Sequence, residues 1–422
     1  MQDEAKTNRI RLAYLVSHPI QYQAPLLRRI ALEPDIDLTV FFGSDFSVRG
    51  YQDKGFGVDV KWDVPLLEGY RYEFLPKLRD TATYSVTSPL SYGIWSRLRG
   101  RNGEPAFDAL WTHGYATLNA LHGMLAAKSL GIPVLVRAES WLADRSRSPW
   151  KLVAKQVFFH ALRPFVDAVL PIGSLNAEYW RHYFGPQMPM FQMPYAVDNA
   201  YFQHQSELAT NHREALRQEL GLEPGRPIIL FASKLQTRKR CSDLVEAYRR
   251  LCTQRKQTPV PYLLIVGDGE ERAALQQQAS ATGLEGIRFC GFRNQSELPR
   301  FFDLASVFVL PSEHEPWGLI VNEVMNAARA VIVTQDVGSY VDLIADGVEG
   351  CVYPVRDIGA LVVCLERVLA SPETAAQMGE RARQRIDQWS FEQDVAGLRA
   401  ALAHITHRLP AERCHSTAAQ PN

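Results

Sequence analysis

The fold of this chain is decided by residues 311–326, which read PSEHEPWGLIVNEVMN. They follow the apolar run 307–310, which predicts a buried strand, and Pro316 and Gly318 predict a turn into a helix. Such a turn points the first backbone N–H groups and the positive end of the helix beyond the edge of the sheet. The stretch therefore predicts a ligand site at the end of a strand.

Two carboxylates flank this turn. Glu315 lies in the loop and Glu323 lies one to two turns into the helix, so both can face the same ligand. A carboxylate can accept hydrogen bonds from two hydroxyl groups at once. The simpler alternative is a helix N-terminus whose acidic residues favour the macrodipole.

The same strand-and-helix alternation extends along the chain in both directions. Short apolar runs that predict strands lie at 11–17, 36–42, 109–112, 134–136, 168–172, 228–232, 262–266, 287–290, 307–310 and 331–334. Segments of helical period follow the runs, which is typical of parallel sheets covered by helices on both faces. With 422 residues, the chain is expected to form two doubly wound α/β domains that face each other across a cleft.

The break between the two halves is expected near residues 193–202, where Pro194 and an Asp-Asn pair interrupt the pattern. We therefore predict a first domain at 1–200 and a second at 201–390. A C-terminal helix and a frayed tail complete the chain at 391–422.

Composition excludes several classes of protein. The formal net charge is zero and the pI is about 7.2, which indicates no bulk attraction to nucleic acid. The N-terminus has no apolar signal region and no apolar run reaches the roughly 18–20 residues of a spanning helix, so a cytoplasmic protein is expected. The six cysteines form no metal-binding cluster and are expected to be reduced thiols.

A basic loop follows the first strand of the second half. Residues 231–244 read FASKLQTRKRCSDL and bring Lys234, Arg238, Lys239 and Arg240 together before a helix. Such a cluster is costly unless it is solvated or faces an anion, and a diphosphate is the obvious anion. An exposed basic loop is the simpler alternative.

These residues resemble the family 4 glycosyltransferases, retaining enzymes of the GT-B fold. The family frame E-x-F-G-L-x-x-x-E is matched from Glu315 to Glu323, with Trp317 in place of phenylalanine. The family's arginine and the lysine five residues after it are matched by Lys234 and Lys239. Weaker matches continue in order through most of 228–354, and such an ordered series is far more specific than any single motif.

The resemblance implies two Rossmann-like domains, of which the first serves the acceptor and the second binds a nucleotide-sugar donor. It implies no metal and no cofactor besides this co-substrate. The donor residues it implies are Lys234 and Lys239 for the diphosphate, Glu323 for the ribose, Glu315 with the backbone N–H groups of Trp317, Gly318 and Leu319 for the sugar, and Gly291, Phe292 and Arg293 for the base. Lys234 cannot make the planar bidentate contact of the arginine it replaces.

The first domain offers three further candidates. His18, in SHPIQYQ, follows the first strand and either donates to phosphate or acceptor or serves only as a helix-entry residue. Glu139 stands where many family members have a histidine. It either contacts a sugar hydroxyl, deprotonates the acceptor, or forms a structural ion pair with Arg137. His113 is a weaker candidate for the same cleft.

The resemblance implies transfer with retention of anomeric configuration to a glycan, lipid-linked or small-molecule acceptor, in polysaccharide or glycoconjugate biosynthesis. We expect front-face attack, in which Lys239 stabilises the leaving diphosphate and Glu315 and Glu139 complete the catalytic set. The alternatives are a nucleotide-sugar epimerase of the same fold, which would convert donor without acceptor, and a catalytically silent glycan-binding subunit, which would lose the cations and acids of the donor loops.

One segment leaves a membrane partner open. Residues 141–163 hold five cations, Asp144 as their only acid, and aromatic side chains such as Trp150. The segment predicts either a helix that rests on the inner face of an anionic membrane or, more simply, a solvated amphipathic helix that covers the sheet. The sequence favours the second interpretation.

Overall fold

The structure is a computed structural model that describes residues 9–53, 55–79, 85–145, 147–254 and 259–407, without the side chain of Gln254. The polar N-terminus at 1–8, the predicted frayed tail from 408 onward and Cys414 lie outside the described residues. Two six-stranded parallel sheets carry the chain, one in each half. This arrangement confirms the predicted α/β fold of two doubly wound domains.

Within the described ranges, the first half contains ten strands and eight α-helices. Its strands are β1 (Ile10–Val16), β2 (Ile36–Phe42), β3 (Tyr51–Asp53), β4 (Val58–Val60), β5 (Arg71–Phe74), β6 (Lys77–Arg79), β7 (Leu90–Ser91), β8 (Ala109–His113), β9 (Val134–Arg137) and β10 (Ala168–Val169). Its helices are α1 (Ala24–Ala31), α2 (Phe46–Arg49), α3 (Ile94–Leu98), α4 (Leu118–Ser129), α5 (Pro149–Leu162), α6 (Ser174–Phe184), α7 (Asn199–Thr210) and α8 (Arg213–Glu219).

In the part of the second half that the structure describes there are six strands and eight α-helices. Its strands are β11 (Ile228–Ala232), β12 (Tyr262–Val266), β13 (Ile287–Gly291), β14 (Val307–Leu310), β15 (Ala330–Thr334) and β16 (Gly350–Tyr353). Its helices are α9 (Cys241–Gln254), α10 (Arg272–Ala281), α11 (Leu298–Leu304), α12 (Leu319–Asn326), α13 (Tyr340–Leu343), α14 (Ile358–Val368), α15 (Pro372–Asp387) and α16 (Phe391–Thr406).

The order of the strands in each sheet determines where the loops that can bind a ligand lie. The first sheet runs β10-β9-β8-β1-β2-β5 and the second runs β13-β12-β11-β14-β15-β16. In each sheet the chain starts in the middle and turns back, so the order reverses beside β1 and beside β11. Ligands of open parallel sheets bind beyond the carboxyl ends of the strands at such a reversal. The central strands β11, β12, β14 and β15 are buried along their whole length, as parallel strands covered on both faces must be.

The chain crosses between the halves twice. Helix α7 packs against the helices α11 and α12 of the second half, and the predicted boundary at residue 200 falls inside its first turn. Helix α16 returns to the first half, where Val395, Leu398 and Leu402 join the core formed by β1 and β2. The last helix therefore ties the two ends of the chain into one domain.

A buried ion pair anchors α16. Arg137, at the end of β9, lies 2.9 Å from Asp394 and donates further hydrogen bonds to the backbone oxygens of Met193 and Pro194. Both charged side chains are at most 1% exposed. Burial raises the pKa of Asp394 to about 7, although Arg137 opposes the rise. Arg137 thus pairs with Asp394, and the ion pair considered between Arg137 and Glu139 is wrong.

We predict that Asp394→Asn destabilises the protein by about 3–5 kcal/mol, because it leaves the Arg137 guanidinium buried without a counter-charge. Thermal unfolding followed by circular dichroism should show a clearly lower midpoint. The matched control is Glu219→Gln, which breaks the exposed pair with Arg300 and should cost about 0–1 kcal/mol. Equal midpoints for both variants would contradict an anchoring role for the buried pair.

Candidate active site

A cavity of about 760 Å³ lies between the two sheets. Its walls are the loops that follow β1, β8 and β9 in the first domain and β11, β12, β13 and β14 in the second. A segment around β3 and β4 adds Tyr51, Asp53, Phe56 and Trp62. The carboxyl ends of both sheets therefore open onto one space, which is large enough for a small-molecule ligand.

Backbone hydrogen bonds hold the loop between β14 and α12 against the loop that follows β15. The backbone N–H of Glu315 donates to the oxygen of Asp336, and the N–H of Gly338 donates to the oxygen of Glu315, both at 2.9 Å. Gly318 ends the loop at a φ of +86°, where a Cβ would also crowd Leu310 at 3.1 Å. The start of α12, through Gly318, Leu319 and Ile320, then lines the cavity.

Glu315 is the centre of a buried cluster of charges. Its carboxylate binds the ammonium of Lys239 and lies 3.3 Å from the guanidinium of Arg238. Burial tends to raise the pKa of Glu315, but Lys239 and Arg238 hold it below its ordinary value. Burial lowers the pKa of Lys239, and Glu315 opposes that fall. Glu315, Lys239 and Arg238 together place one negative and two positive charges in a single wall.

Glu323 stands apart from this cluster. Its side chain lines the cavity one turn into α12, and no described residue donates a hydrogen bond to its carboxylate. Burial raises the pKa of Glu323 to about 8. A buried carboxyl group without a protein partner is positioned to receive hydroxyl donors from a ligand.

Lys234 belongs to the second domain, but residues of the first domain hold its side chain. Its ammonium lies 2.8 and 2.9 Å from the two carboxylate oxygens of Asp53 and 4.7 Å from the ring centre of Phe56. Asp53 also accepts from the backbone N–H groups of Gly55 and Phe56, which fixes its orientation. Arg240, predicted to face the same anion, instead pairs with Asp243 at 3.0 Å and lies outside the cavity wall.

Glu139 anchors the facing wall. Tyr22 donates to its carboxylate at 3.1 Å, Tyr195 donates to the same oxygen, and His113 lies 3.6 Å away. Burial tends to raise the pKa of Glu139, but these donors, His113 first, hold it below its ordinary value. The carboxylate is therefore kept ionised in the cavity.

His18 lies near this group but contributes no charge. Burial and the nearby His113 lower the pKa of His18 to about 4, so its imidazole is neutral near pH 7. Its Nδ1 lies 2.8 Å from the hydroxyl of Ser17, and its ring packs on Phe46 at 4.4 Å. His18 lines the cavity and can serve there as a hydrogen-bonding group.

The predicted base loop is only partly in the cavity. Phe292 and Arg293 line it, whereas Gly291 accepts a hydrogen bond from the N–H of Gly267 within the sheet edge. The Arg293 guanidinium binds Glu297 at 3.1 Å.

Trp317 contributes no side chain to the cavity. Its indole stacks on Trp389 at 5.6 Å and donates to Asn322 at 3.0 Å, at the junction of the two domains. Gly173, from the first domain, lies against the same ring, where a Cβ would come within 2.3 Å of it.

Comparison with known proteins identifies the architecture. Residues 212–385 match the family model described as Glycosyl transferases group 1. Alpha-D-kanosaminyltransferase of Streptomyces kanamyceticus is 27% identical over 62% of this chain and 68% of its own length. The GDP-mannose-dependent alpha-(1-6)-phosphatidylinositol monomannoside mannosyltransferase of Mycolicibacterium smegmatis is 27% identical over 84% of this chain and 89% of its own. The chain is therefore similar to the group 1 glycosyltransferases, with the family model matching residues 212–385.

Solved structures show the GT-B fold of this glycosyltransferase. HepE of Anabaena in complex with UDP superposes with a TM-score of 0.70 at 16% identity, over 94% of this chain and 100% of that one. Sucrose-phosphate synthase of Thermosynechococcus elongatus gives a TM-score of 0.66 at 18% identity, with the same coverage. At such low identities the likeness concerns the fold alone.

Sequence reasoning missed several residues of the glycosyltransferase cavity. Tyr22 was visible in the SHPIQYQ motif, but Tyr195 comes from the break between domains and meets Glu139 only in the folded chain. Asp53 and Phe56 lie between short antiparallel strands that interrupt the parallel pattern. No periodicity of the sequence could assign them to a site in the other domain.

We predict that Asp53→Asn tightens binding of a nucleoside diphosphate by about tenfold, because the ligand no longer competes with a carboxylate for the Lys234 ammonium. The asparagine oxygen can still accept from Gly55 and Phe56. Isothermal titration with uridine, guanosine and adenosine diphosphates in turn measures the change. Asp59→Asn, at an exposed position of β4, is the control and should leave affinity unchanged. Weaker binding by Asp53→Asn would show that Asp53 instead positions Lys234 for the ligand.

Proposed function

We propose that this glycosyltransferase moves a sugar from a nucleoside-diphosphate donor to a glycan, lipid-linked or small-molecule acceptor, with retention of anomeric configuration. The observation that carries the proposal is the charge pattern of one cavity wall. A buried Lys239–Glu315 pair and Glu323, a carboxyl group with no donor among the described residues, line the same cavity. We propose that this transfer takes part in the biosynthesis of a polysaccharide or glycoconjugate.

The donor fits this wall group by group. Lys234 and Lys239 lie where a diphosphate can pair with both, at the end of α12 that attracts anions. Glu323 is placed for the two ribose hydroxyls, since binding them replaces the hydrogen bonds that its burial removes. Glu315 can accept from the hydroxyls of the sugar, and Phe292 offers an apolar surface to the base.

Relatives support a nucleotide-sugar donor without fixing the base. HepE is described in complex with UDP, with UDP and glucose, and with UDP-glucose. The mannosyltransferase of Mycolicibacterium smegmatis is GDP-mannose-dependent. For this chain, uridine, guanosine and adenosine donors all remain to be compared.

We infer front-face substitution as the chemical step. An acceptor hydroxyl oxygen forms a bond to the anomeric carbon on the face from which the diphosphate leaves. The bond from that carbon to the diphosphate oxygen breaks, and the diphosphate takes the hydroxyl proton. Lys239 and Lys234 stabilise the negative charge that develops on the leaving group. Glu139, ionised and oriented by two tyrosines, is placed to orient the sugar or the acceptor hydroxyl.

We further propose that no metal is required. The three cations Lys234, Arg238 and Lys239, together with the start of α12, supply positive charge at the proposed diphosphate position. Within the described ranges, no group of three or more His, Cys, Asp or Glu side chains is arranged to hold a metal ion. Addition of EDTA to every assay tests this part of the proposal directly.

A donor screen tests the function first. Nucleoside diphosphates and their sugars are titrated into the protein in EDTA, and thermal shift is measured. A ligand at about 100 times its dissociation constant should stabilise the protein by about 2.7 kcal/mol. We expect one nucleotide class to raise the midpoint and Glu323→Ala to abolish the rise. No shift with any nucleotide would overturn the proposed donor site and favour the silent-subunit alternative.

Removal of Lys239 separates catalysis from binding. We expect Lys239→Ala to lower turnover about 100-fold or more at saturating donor, because the leaving diphosphate loses a charge that stabilises it. Initial rates of donor consumption with acceptor present measure the change. Arg240→Ala is the matched control, since this neighbouring cation pairs with Asp243 outside the cavity wall. Unchanged turnover with a higher KM for donor would mean that Lys239 serves ground-state binding only.

A further inference from the structure

The outward face of α5 is apolar. Phe159 and Leu162 point into the core on one side of the helix. The opposite side carries Trp150, Val153 and Val157, which are 68%, 63% and 65% exposed. Their spacing of three and seven residues places them in one stripe along the helix.

This stripe is unusual for a surface helix. A helix of a soluble domain normally turns charged residues to solvent, and a helix that is apolar all round is normally buried. The stripe is extended by the exposed alanines of the same face and, before the helix, by Leu142, which is 44% exposed. Helix α5 covers the core with Phe159 and Leu162, but its solvent-exposed face is apolar as well. Contiguous exposed apolar surface of this kind marks an interaction site.

Cations lie on α5 and just before it. Lys151, Lys155 and Arg163 lie on the helix or at its end, and Arg145 lies four residues before it. The ammonium of Lys155 lies 4.4 and 4.9 Å from the ring centres of two tyrosines of α6. The only acid nearby in sequence, Asp144, is buried and paired with Arg147 at 2.7 Å. The exposed Lys151 and Arg145 therefore add positive charge near the exposed apolar side chains.

The segment that leads into α5 reaches the mouth of the cavity. Arg145 itself lines the cavity. Tyr115, another residue of the cavity wall, packs against Phe158 and Phe159 of α5 with ring centres 6.1 and 5.0 Å apart. A body that covers the outward face of α5 would thus lie beside the opening through which an acceptor enters.

We propose that the outward face of α5 docks on an anionic lipid surface and brings Arg145, at the cavity mouth, to the headgroup of an acceptor held in that membrane. Apolar side chains enter the interface while lysine and arginine meet anionic headgroups, which is the pattern of interfacial helices. The docking stands on the geometry of α5 alone, whereas the lipid-linked acceptor rests on the proposed transferase function.

Other features of the chain agree with docking as opposed to insertion. Among the residues that the structure describes, no helix combines the length and the apolar character needed to cross a bilayer. A second copy of this chain is a poorer occupant of the same face, because a symmetric contact would bring its cations against identical cations.

Vesicle co-sedimentation tests the docking. The wild-type protein is mixed with vesicles of phosphatidylcholine alone and of phosphatidylcholine with phosphatidylglycerol, at low and at high salt. We expect binding to the anionic vesicles that weakens with salt, and a loss of at least about tenfold in the variant Val153→Glu/Val157→Glu. The matched control is Val363→Glu, a 62% exposed valine on α14 of the other domain, which should bind like wild type.

The outcomes separate this proposal from the proposed function. Absence of binding to anionic vesicles at low salt, or equal binding by the double variant and the control, overturns the docking. A dimer detected by light scattering that only the double variant abolishes would assign the stripe to a second copy and also overturn it. Thermal shift with donor, measured on the same variants, reports separately on folding and on the donor site, so loss of both would reveal a misfolded variant. In that case Lys151→Glu/Lys155→Glu, which keeps the apolar stripe, replaces the double variant and should also lose binding.

Discussion

The cavity wall to which we assign the donor depends on the buried ion pair of Lys239 and Glu315. A buried pair repays the loss of hydration only when its geometry is tightly held and further partners are present. Here β11 and β14 are neighbours in the sheet, so the loops at their carboxyl ends are forced together. Backbone hydrogen bonds then hold Glu315 in place. Lys239 and Glu315 neutralise each other's charge. Glu323 has no such partner in the part of the chain that the structure describes, and we assign it the hydroxyl donors of the ligand.

Two other ion pairs join distant parts of the chain, and their surroundings give them different consequences. Arg137 and Asp394 are almost completely buried and lie away from the cavity, so they act as a permanent tie between β9 and α16. Lys234 and Asp53 meet inside the cavity, where Lys234 is one-third exposed and an anionic ligand can reach it. A contact that crosses the cleft at that point couples ligand binding to the relative positions of the domains.

The sequence predicted those features of the fold that depend on residues close together in the chain. β2, β11, β12 and β14 were predicted residue for residue, because a parallel strand buried on both faces reads as a continuous apolar run. The residues at the start of α12 followed from the same local logic. The edge strands β5 and β16 were not predicted, because each has only four residues and β5 alternates charged with aromatic side chains. The partner of Arg137 lies 257 residues away, and no local pattern carries such a contact.

The same reasoning explains why the donor wall is easier to interpret than the acceptor side. A diphosphate and a ribose require fixed charges and hydroxyl acceptors, and each requirement leaves a recognisable residue at the end of a strand. An acceptor can be recognised by the shape and polarity of a surface as well as by single side chains. Helix α5 shows why composition alone does not predict such a surface. Its sequence allowed either a membrane-facing or a solvated helix, and only the fold shows that Trp150, Val153 and Val157 are turned outward. Burial of Phe159 and Leu162 fixes the rotation of the helix, and that rotation leaves the stripe at the surface beside the cavity.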